Sequence, residues 1–237
     1  MTLIKHHVKI YSAEYTNLPG HACRPSPLSI ASADSMTPMY QVIVDNQVLV
    51  QSASAGSVLA DIYKTHIGDY PKFHKMDPLC QVGFVASELL LQAEGQRGKQ
   101  CGESRGIVLF NATSSLADDR NYQATIDTPE TSFPSPSLFV YTLPNVLTGE
   151  IAIRNRYFGE TNFIVLPEFD CKSISNAIEM SFSDPLLQSL VTGWVDCYNK
   201  TVFDVLMFLV DRDIIGHGAE LSEEIKRLRD CIPASTH

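Results

Sequence analysis

Apolar and polar residues alternate at the start of the chain, in HVKIYS at 7–12, and this alternation predicts a strand. Two further alternating runs, in MYQVIVDNQVLVQS at 39–52, flank Asp45 and Asn46. Because Asp and Asn tolerate the left-handed backbone of a tight turn, this stretch predicts a β-hairpin. Residues 17–38 between them are rich in Pro, Ser, Ala and Gly and predict a surface loop.

The clearest helical spacing of apolar residues lies in MDPLCQVGFVASELLLQA at 76–93. Asp77 can cap this helix and Pro78 suits its first turn. A short helix is also expected before it, ending near His66. Weaker helical patterns follow at 115–126, in NVLTGEIAIRNRYF after its opening Asn145, in CKSISNAIEMSF and in ELSEEIKRLRDCI.

The apolar run RGIVLFNA is bounded by turn residues and is typical of a buried strand in a parallel sheet. Three further strands are expected in NFIVLPEF, SLVTGWVDCY and VFDVLMFLVDR. The run LFVYTLP at 138–144 is expected to be a short strand or extended segment. The order of strands and helices predicts the α/β class, with a mixed, mostly parallel sheet flanked by helices.

Composition narrows the possible functions. The chain has 237 residues, 44% hydrophobic and 19% charged, which is ordinary for a soluble globular protein. A net charge of −9 disfavours nucleic acid and anionic membranes as partners. The opening MTLIKHHVKIYS lacks a secretory apolar region, and VFDVLMFLV is too short to span a bilayer and is interrupted by Asp204. A cytoplasmic location is expected.

Six cysteines occur without a C-x-x-C pair or zinc-type spacing to a histidine. Reduced thiols are therefore expected, with no metal and no cofactor. The adjacent Asp118 and Asp119 point in different directions on a helix, so a capping role is favoured over metal binding. No phosphate-binding or hydrolase motif of the G-x-x-x-x-G-K-[ST], G-x-G-x-x-G or G-x-S-x-G type is present.

Three segments, in order, resemble the N-terminal half of β-ketoacyl-acyl-carrier-protein synthases of the thiolase superfamily. They are FHKMD at 73–77, SPSLFVYTLPNVLTGEIAIRNRYFGET at 135–161 and LVTGWVDCY at 190–198. The resemblance covers about residues 70–211. It implies one thiolase-like half domain over residues 1–237, with a tail helix within 212–237.

The resemblance also implies where the nucleophilic cysteine of the family would lie. In the family it follows the Gly of a Gly-Pro pair by nine residues and precedes the first Gly of a Gly-Gly pair by twenty-five. Counting from Gly159 and from Gly193 leads to Glu168 in both cases. Cys171 is expected one helical turn further along. A carboxylate is a poor acyl acceptor, so Glu168 is expected to cap the helix or fill a pocket.

Two more departures from the family agree with a lost activity. Trp194 stands where the family has a small glycine, which would narrow the space beside the site. Condensing synthases also use two histidines from their second half, whereas His217 and His237 in the tail are expected to mark a turn and a chain end. No catalytic residue is therefore assigned.

The resemblance implies a non-condensing subunit of the chain-length-factor kind, in a fatty-acid or polyketide pathway such as aryl polyene or resorcinol pigment synthesis. Its partners would be a full-length synthase, an acyl carrier protein, or both, in a homodimer or heterodimer. The family pairs across the dimer through the strand that matches Asn162–Leu166. The residues expected to line an interface or tunnel are Val165, Leu166, Phe169 and Trp194, with Glu168 beside them.

Two alternatives remain open. Glu168 could orient a malonyl thioester for decarboxylation, with histidines supplied by a partner subunit. The chain could also be a relic of the fold that binds acyl chains or a small ligand. A basic cluster of Arg154, Arg156 and Lys172 could receive an acidic carrier protein or be an ordinary solvated face.

Overall fold

A computed structural model describes residues 2–12, 40–52, 58–95, 101–127 and 134–231, so the loop expected at 17–38 lies outside the described residues. Seven strands form one mixed sheet in the order β3-β2-β1-β7-β6-β4-β5. The strands are β1 Ile4–Ser12, β2 Tyr40–Val44, β3 Gln47–Ser52, β4 Arg105–Asn111, β5 Thr161–Val165, β6 Ser189–Cys197 and β7 Phe203–Asp211.

The strand directions modify the expected sheet. Strand β4 pairs in parallel with β5 and with β6, whereas the other four neighbouring pairs are antiparallel. The α/β class and the mixed sheet are confirmed, and β1, β3, β4, β5 and β6 share one direction. The prediction of mostly parallel pairing is wrong, because β7 is inserted in the opposite direction between β1 and β6 and because β2 and β3 extend the sheet as an antiparallel hairpin.

The structure confirms the β-hairpin predicted around Asp45 and Asn46. Asp45 and Asn46 have φ angles of 47° and 65°, the left-handed backbone that a two-residue turn of this kind requires. The Asp45 carboxylate accepts a hydrogen bond from the His7 amide at 2.9 Å. The turn is therefore tied to β1 as well as closing the hairpin.

Helices cover both faces of the sheet. They are α1 Val58–Ile62, α2 Pro78–Ala93, α3 Leu116–Ala124, α4 Pro136–Val140, α5 Val146–Asn155, α6 Cys171–Ser181 and α7 Gly218–Asp230. A π-helical turn, Tyr63–Ile67, continues α1, and short 3-10 turns span Pro71–Lys75 and Arg212–Ile214. Alternate residues of β4 separate the two cores, since Ile107 and Leu109 pack with α2 and α5 whereas Val108 and Phe110 pack with α6 and α7.

Helix α2 forms the centre of the first core, and its predicted cap is confirmed. The Asp77 carboxylate accepts hydrogen bonds from the amides of Leu79 at 2.9 Å and Cys80 at 3.3 Å. The fully buried Glu88 of α2 pairs with Arg154 of α5 at 3.2 Å. This ion pair holds α5 against α2, and through it positions the chain that leads into β5.

The expected strand at 138–144 is wrong, because residues 136–140 form helix α4. Pro136 lies in the first turn, and the Ser135 hydroxyl accepts a hydrogen bond from the Leu138 amide at 3.4 Å. A capping serine followed by proline is a helix-start signal. Here it prevails over the strand preference of Phe139 and Val140.

Helix α7, within the expected tail, packs beside α6 on the second core through its buried Leu221 and Ile225. Near its end, Arg229 Nη1 donates to Asp204 Oδ1 of β7 at 2.8 Å. Lys9 Nζ of β1 donates to the Cys231 carbonyl at 2.5 Å. Among the described residues, no helix has both the length and the apolar character needed to cross a membrane.

Candidate functional site

The candidate site lies where β5 ends and α6 begins. Residues 166–170 make this connection, and the Leu166 amide donates to the Asn111 carbonyl at 2.8 Å, which extends the pairing with β4 by one bond. Because β4, β5 and β6 are parallel, their carboxyl ends lie at the same edge of the sheet. Ligand sites of open α/β sheets are commonly found outside such an edge.

Asp170 is the cap of α6. Its carboxylate accepts hydrogen bonds from the amides of Lys172 at 3.3 Å and Ser173 at 3.0 Å, and from the Ser173 hydroxyl at 2.5 Å. The Ser173 hydroxyl bond, reinforced by the backbone amides, lowers the pKa of the Asp170 carboxyl. A fixed negative charge therefore occupies the amino end of α6, where unpaired amides could otherwise receive an anion.

Two sequence-based expectations about this turn are wrong. Glu168 does not cap the helix, because Asp170 does so and Glu168 is an exposed residue of the connecting turn. Cys171 does not lie one turn along α6, because it is the first residue of the helix. The connection after β5 holds residues 166–170 before the helix starts, which the counts from Gly159 and Gly193 could not detect.

The start of the helix therefore presents a half-buried thiol beside an anionic cap. A helix end favours a cysteine thiolate when its positive amides are available to the sulfur. Here the side chain of Asp170 holds two of those amides and brings a negative charge to the neighbouring residue. These two amides are therefore occupied by the Asp170 carboxylate.

Phe169 and Trp194 pack under the turn. Their rings lie edge to face with centroids 5.3 Å apart, and the Arg229 guanidinium lies 4.5 Å from the Phe169 centroid. Trp194 is 1% exposed and Phe169 is 6% exposed. The two rings fill the layer between the sheet and the helices α6 and α7, so Arg229 of α7 helps to hold the turn in place. A tunnel-lining role for them stays a prediction.

Val165 and Leu166 lie at a different surface. Strand β5 is at one end of the strand order, so one of its sides pairs with β4 and the other has no strand among the described residues. Val165 is 48% exposed and Leu166 is half-buried. Phe158, just before β5, is 72% exposed, and Ile153 of α5 is also exposed. The five predicted residues are thus divided, with Phe169 and Trp194 in a buried layer, Val165 and Leu166 at an open edge and Glu168 in the exposed turn.

The two glycines used for counting are required by the fold. Gly193 has a φ of 137°, and a Cβ on it would lie 2.1 Å from the Leu206 carbonyl oxygen of the neighbouring strand. A Cβ on Gly159 would lie 2.5 Å from the Arg105 carbonyl oxygen. Both positions are close backbone approaches at strands of the sheet, which is a physical reason for glycine in the segments that carry the family resemblance.

The basic cluster considered for a carrier protein is only partly available. Arg154 Nη2 is held by Asp69 at 2.6 Å and by Glu88 at 3.2 Å, so it serves the packing of α5. Arg156 is exposed at the left-handed cap of α5, and Lys172 is exposed on α6. His217 lies in the turn before α7, as expected, and His237 lies outside the described residues.

Sequence reasoning missed a group of buried polar residues at the same sheet edge. Asp196 of β6 accepts a hydrogen bond from the Thr113 amide at 3.2 Å, and the Asn111 amide group donates to the Ser114 carbonyl at 2.9 Å. Asp118, expected to cap α3, is buried there. Within the described ranges, no group of three or more histidine, cysteine or acidic residues is arranged to hold a metal.

No family model matches the sequence, and no curated protein matches it. Solved structures do match. The ishigamide ketosynthase/chain length factor has a TM-score of 0.54 and 19% identity, over 64% of this chain and 47% of that chain. A ketosynthase (ApeO) in complex with its chain length factor (ApeC) from Xenorhabdus doucetiae has a TM-score of 0.43 and 12% identity, over 67% and 73%.

A third structure, the AntDE:AntF complex of a type II polyketide synthase acyl-carrier protein with its ketosynthase bound to the hexaketide, has a TM-score of 0.46 and 14% identity, over 66% of this chain and 51% of that chain. This chain spans about half the length of the ishigamide chain that it matches. The strand and helix arrangement described above is thus the thiolase-like fold of ketosynthase and chain length factor structures.

Proposed function

We propose that this chain is a non-condensing, ketosynthase-like partner subunit that pairs with an active ketosynthase through the open edge of β5. The observation that carries the proposal is the capping of α6 by Asp170, whose carboxylate takes two amides at the helix start. In a condensing enzyme this helix end stabilises a nucleophilic thiolate. In this chain the same end is already neutralised by a fixed anion.

The packing under the turn favours a structural role for this chain over a catalytic one. Phe169 and Trp194 fill the layer beside the carboxyl end of β6, and Arg229 of α7 covers the Phe169 ring. Bulky buried rings leave a rigid wall next to the turn, because well-packed cores resist displacement. Such a wall suits a subunit that shapes a neighbouring acyl site, as a chain length factor does for its synthase.

The edge of β5 supports association. An edge strand presents unpaired backbone groups that template pairing with another strand. Thr161–Val165 carries no charged residue and no proline, and its exposed neighbours Ile153 and Phe158 are apolar. A second copy of this chain or a full-length synthase could add a strand here. We favour the synthase, since the chain brings no thiolate-stabilising helix end of its own.

The setting that we propose is a fatty-acid or polyketide pathway, of the aryl polyene or resorcinol pigment kind, in which an acyl carrier protein delivers the substrate. The carrier would dock on the synthase partner or across both subunits. In this chain only Arg156 and Lys172 of the basic cluster are exposed and available to an acidic carrier.

Co-purification tests the pairing surface. A tagged form of this chain is co-expressed with a ketosynthase encoded beside it, and the eluted complex is quantified. Val165→Lys places a charge in the open edge of β5 and is expected to abolish the complex. The matched control is Val48→Lys, which changes a residue of similar exposure, 37%, on the opposite edge strand β3 and is expected to leave the complex intact.

Three results would contradict the pairing proposal. The first is recovery of the complex with Val165→Lys, and the second is its loss only with Val48→Lys. The third is a stable homodimer of the unaltered chain that excludes the synthase, because the edge would then serve self-association.

One observation favours a second candidate function. Cys171 starts α6, so the chain retains a thiol at the end of the helix. The second candidate is therefore an acyl-accepting subunit in which Cys171 forms a thioester and histidines come from elsewhere in the assembly. Its test is the intact mass of this chain after incubation with an acyl carrier protein, where a thioester adduct lost in Cys171→Ser would establish it.

A further inference from the structure

Two buried carboxyl groups meet where the amino end of α2 lies next to α3. Asp77 is 8% exposed and Asp118 is 2% exposed. The Asp77 carboxylate accepts hydrogen bonds from the amides of Leu79 and Cys80, at 2.9 Å and 3.3 Å. Asp118 Oδ2 is fully buried and has no hydrogen-bond donor within the described part of the chain. The side chains of Asp118 and Asp77 are themselves within hydrogen-bonding reach.

A single proton explains this arrangement. A buried carboxylate without a donor is costly, and two adjacent carboxylates in a dry site do not both ionise. The Asp77 carboxylate already accepts hydrogen bonds from the two amides at the start of α2. The proton therefore lies on Asp118, whose hydroxyl donates to Asp77, and Asp118 Oδ2 is no longer an orphan.

Burial and the neighbouring residues further favour retention of the proton on Asp118. Burial, followed by the hydrogen bond and the charge of Asp77, raises the pKa of Asp118 to about 8. Burial also raises the pKa values of Tyr141, Cys80 and Cys197, so these groups stay neutral at physiological pH. The groups that act on the cluster from each neighbouring element are Cys80 of α2, Asp119 and Asn121 of α3, Tyr141 after α4, Glu150 of α5, and Asp196 and Cys197 of β6.

The neighbouring acids Glu150 and Asp196 disfavour a second negative charge on the Asp77–Asp118 pair. Glu150 is paired with Lys72 at 2.6 Å, and Asp196 is bonded to Thr113, so each acid has its own partner. A hydrogen bond with the Asn121 side chain lowers the pKa of Asp118 and so partly offsets the increase caused by burial. Loss of the proton would leave Asp77 and Asp118 as two adjacent buried anions.

We propose that Asp77 and Asp118 share one proton, and that this proton fastens α3 to the start of α2 and is released as the pH rises. Helix α3 follows the turn at the carboxyl end of β4, where Thr113 is held by Asp196 and the Ser115 hydroxyl donates to the Thr142 carbonyl at 2.5 Å. The shared proton therefore controls how firmly α3 and its preceding turn are held beside the sheet edge.

The sign of the pH effect follows from linkage. An aspartate in the unfolded chain loses its proton at about pH 4, whereas Asp118 in the fold keeps it up to about pH 8. Between these values the folded state binds more protons than the unfolded state, so this contribution to stability falls as the pH rises. Below about pH 4 the contribution is fully present, and above about pH 8 no further loss occurs.

The test compares the unaltered protein with Asp118→Asn, which keeps a donor to Asp77 but cannot titrate. Unfolding equilibrium constants are measured by denaturant titration from pH 5 to pH 7.5. The ratio of the constant for the unaltered protein to that for Asp118→Asn is expected to rise by about tenfold per pH unit. Asp119→Asn, an exposed change on the same helix, is expected to keep the pH slope of the unaltered protein.

A ratio that stays constant over this range would overturn the proposal. If Asp118→Asn does not fold, infrared spectroscopy of the unaltered protein decides the matter. A protonated carboxyl band is expected at pH 6.5 that disappears with a midpoint near pH 8, since burial raises the pKa of Asp118 to about that value. Absence of the band at pH 6.5 would overturn the proposal.

Discussion

At the scale of single residues, the two counts that lead to Glu168 are not independent. Gly159 and Gly193 are separated by 34 residues, which equals the family's nine plus twenty-five, so agreement with one count guarantees agreement with the other. Extra residues before the helix can be compensated by fewer residues after it without changing the sum. This applies to the present chain, because residues 166–170 precede the helix, which begins only at Cys171.

The residue that controls the chemistry of this turn is Asp170. A sequence signal for it existed, because an aspartate directly before a helical pattern is a preferred cap. The fixed anion is expected to suppress the reactivity of the adjacent thiol. Asp170→Asn keeps a capping oxygen and removes the charge, so the alkylation rate of Cys171 by iodoacetamide should rise several-fold.

This rate is measured by site-resolved peptide mass spectrometry, which separates Cys171 from the exposed Cys231. Asp184→Asn is the matched control, because Asp184 likewise accepts a local backbone bond, from the Leu186 amide at 2.9 Å. An equal rise in both variants, or no rise with Asp170→Asn, would contradict the electrostatic role given to Asp170.

His7 gives a second prediction at this scale. Burial in β1, with a smaller contribution from Lys9, lowers the pKa of the His7 imidazole. The folded state therefore binds fewer protons than the unfolded state in acid, and stability should fall as the pH drops below about 6.5. The ring also contacts Asn46 Oδ1 at 3.2 Å, so the loss should begin at the hairpin.

Thermal unfolding at pH 7.5 and pH 5.5 checks this effect. His7→Gln should lower the difference in melting temperature between the two pH values. His66→Gln should not, because His66 contributes its backbone carbonyl to Gln92 Nε2 at 2.8 Å. Equal differences in the two variants would show that His7 does not carry the acid sensitivity.

At the scale of secondary structure elements, alternation predicted β1 and the β2–β3 hairpin, helical spacing predicted α2, and apolar runs predicted β4, β6 and β7. Apart from β3, which is largely exposed, these elements bury one or both faces, so the hydrophobic pattern follows the structure. The pattern fails at α4, where the burial is slight and the Ser135-Pro136 start decides the conformation. The cap of α6 was predicted at the wrong residue for a related reason, since periodicity does not fix a helix boundary to one residue.

The pairing of β6 with β7 depends on Gly193. A Cβ at this position would lie 2.1 Å from the Leu206 carbonyl oxygen, and the φ of 137° strains any other residue. Gly193→Ala should therefore lower the free energy of unfolding by about 3 kcal/mol or more. Gly149→Ala is the control, because a Cβ there meets nothing within 4 Å in α5 and should stabilise the fold by up to about 1 kcal/mol.

Denaturant unfolding measures both changes. A Gly193→Ala variant as stable as the unaltered protein would mean that the strands do not approach as closely as described. It would also remove the physical reason for glycine in the segment LVTGWVDCY on which the family resemblance partly depends.

At the scale of the whole molecule, the mixed sheet, the flanking helices and the thiolase-like fold could be predicted from the order of elements and the three resembling segments. The insertion of β7 between β1 and β6 was not, because strand order is set by contacts distant in sequence. The same holds for Arg229, whose contacts with Asp204 and Phe169 join α7 to the turn before α6. Because the Arg229–Asp204 ion pair is buried, removal of one partner is expected to lower the free energy of unfolding by about 3–5 kcal/mol.

In the role that we propose, this chain supports a synthase but accepts no acyl group itself. The most direct measurement is the intact mass of both subunits after the complex with the synthase is incubated with an acyl-loaded carrier protein. We expect the acyl mass on the synthase and an unchanged mass for this chain. An acyl adduct on this chain, mapped to Cys171, would contradict it.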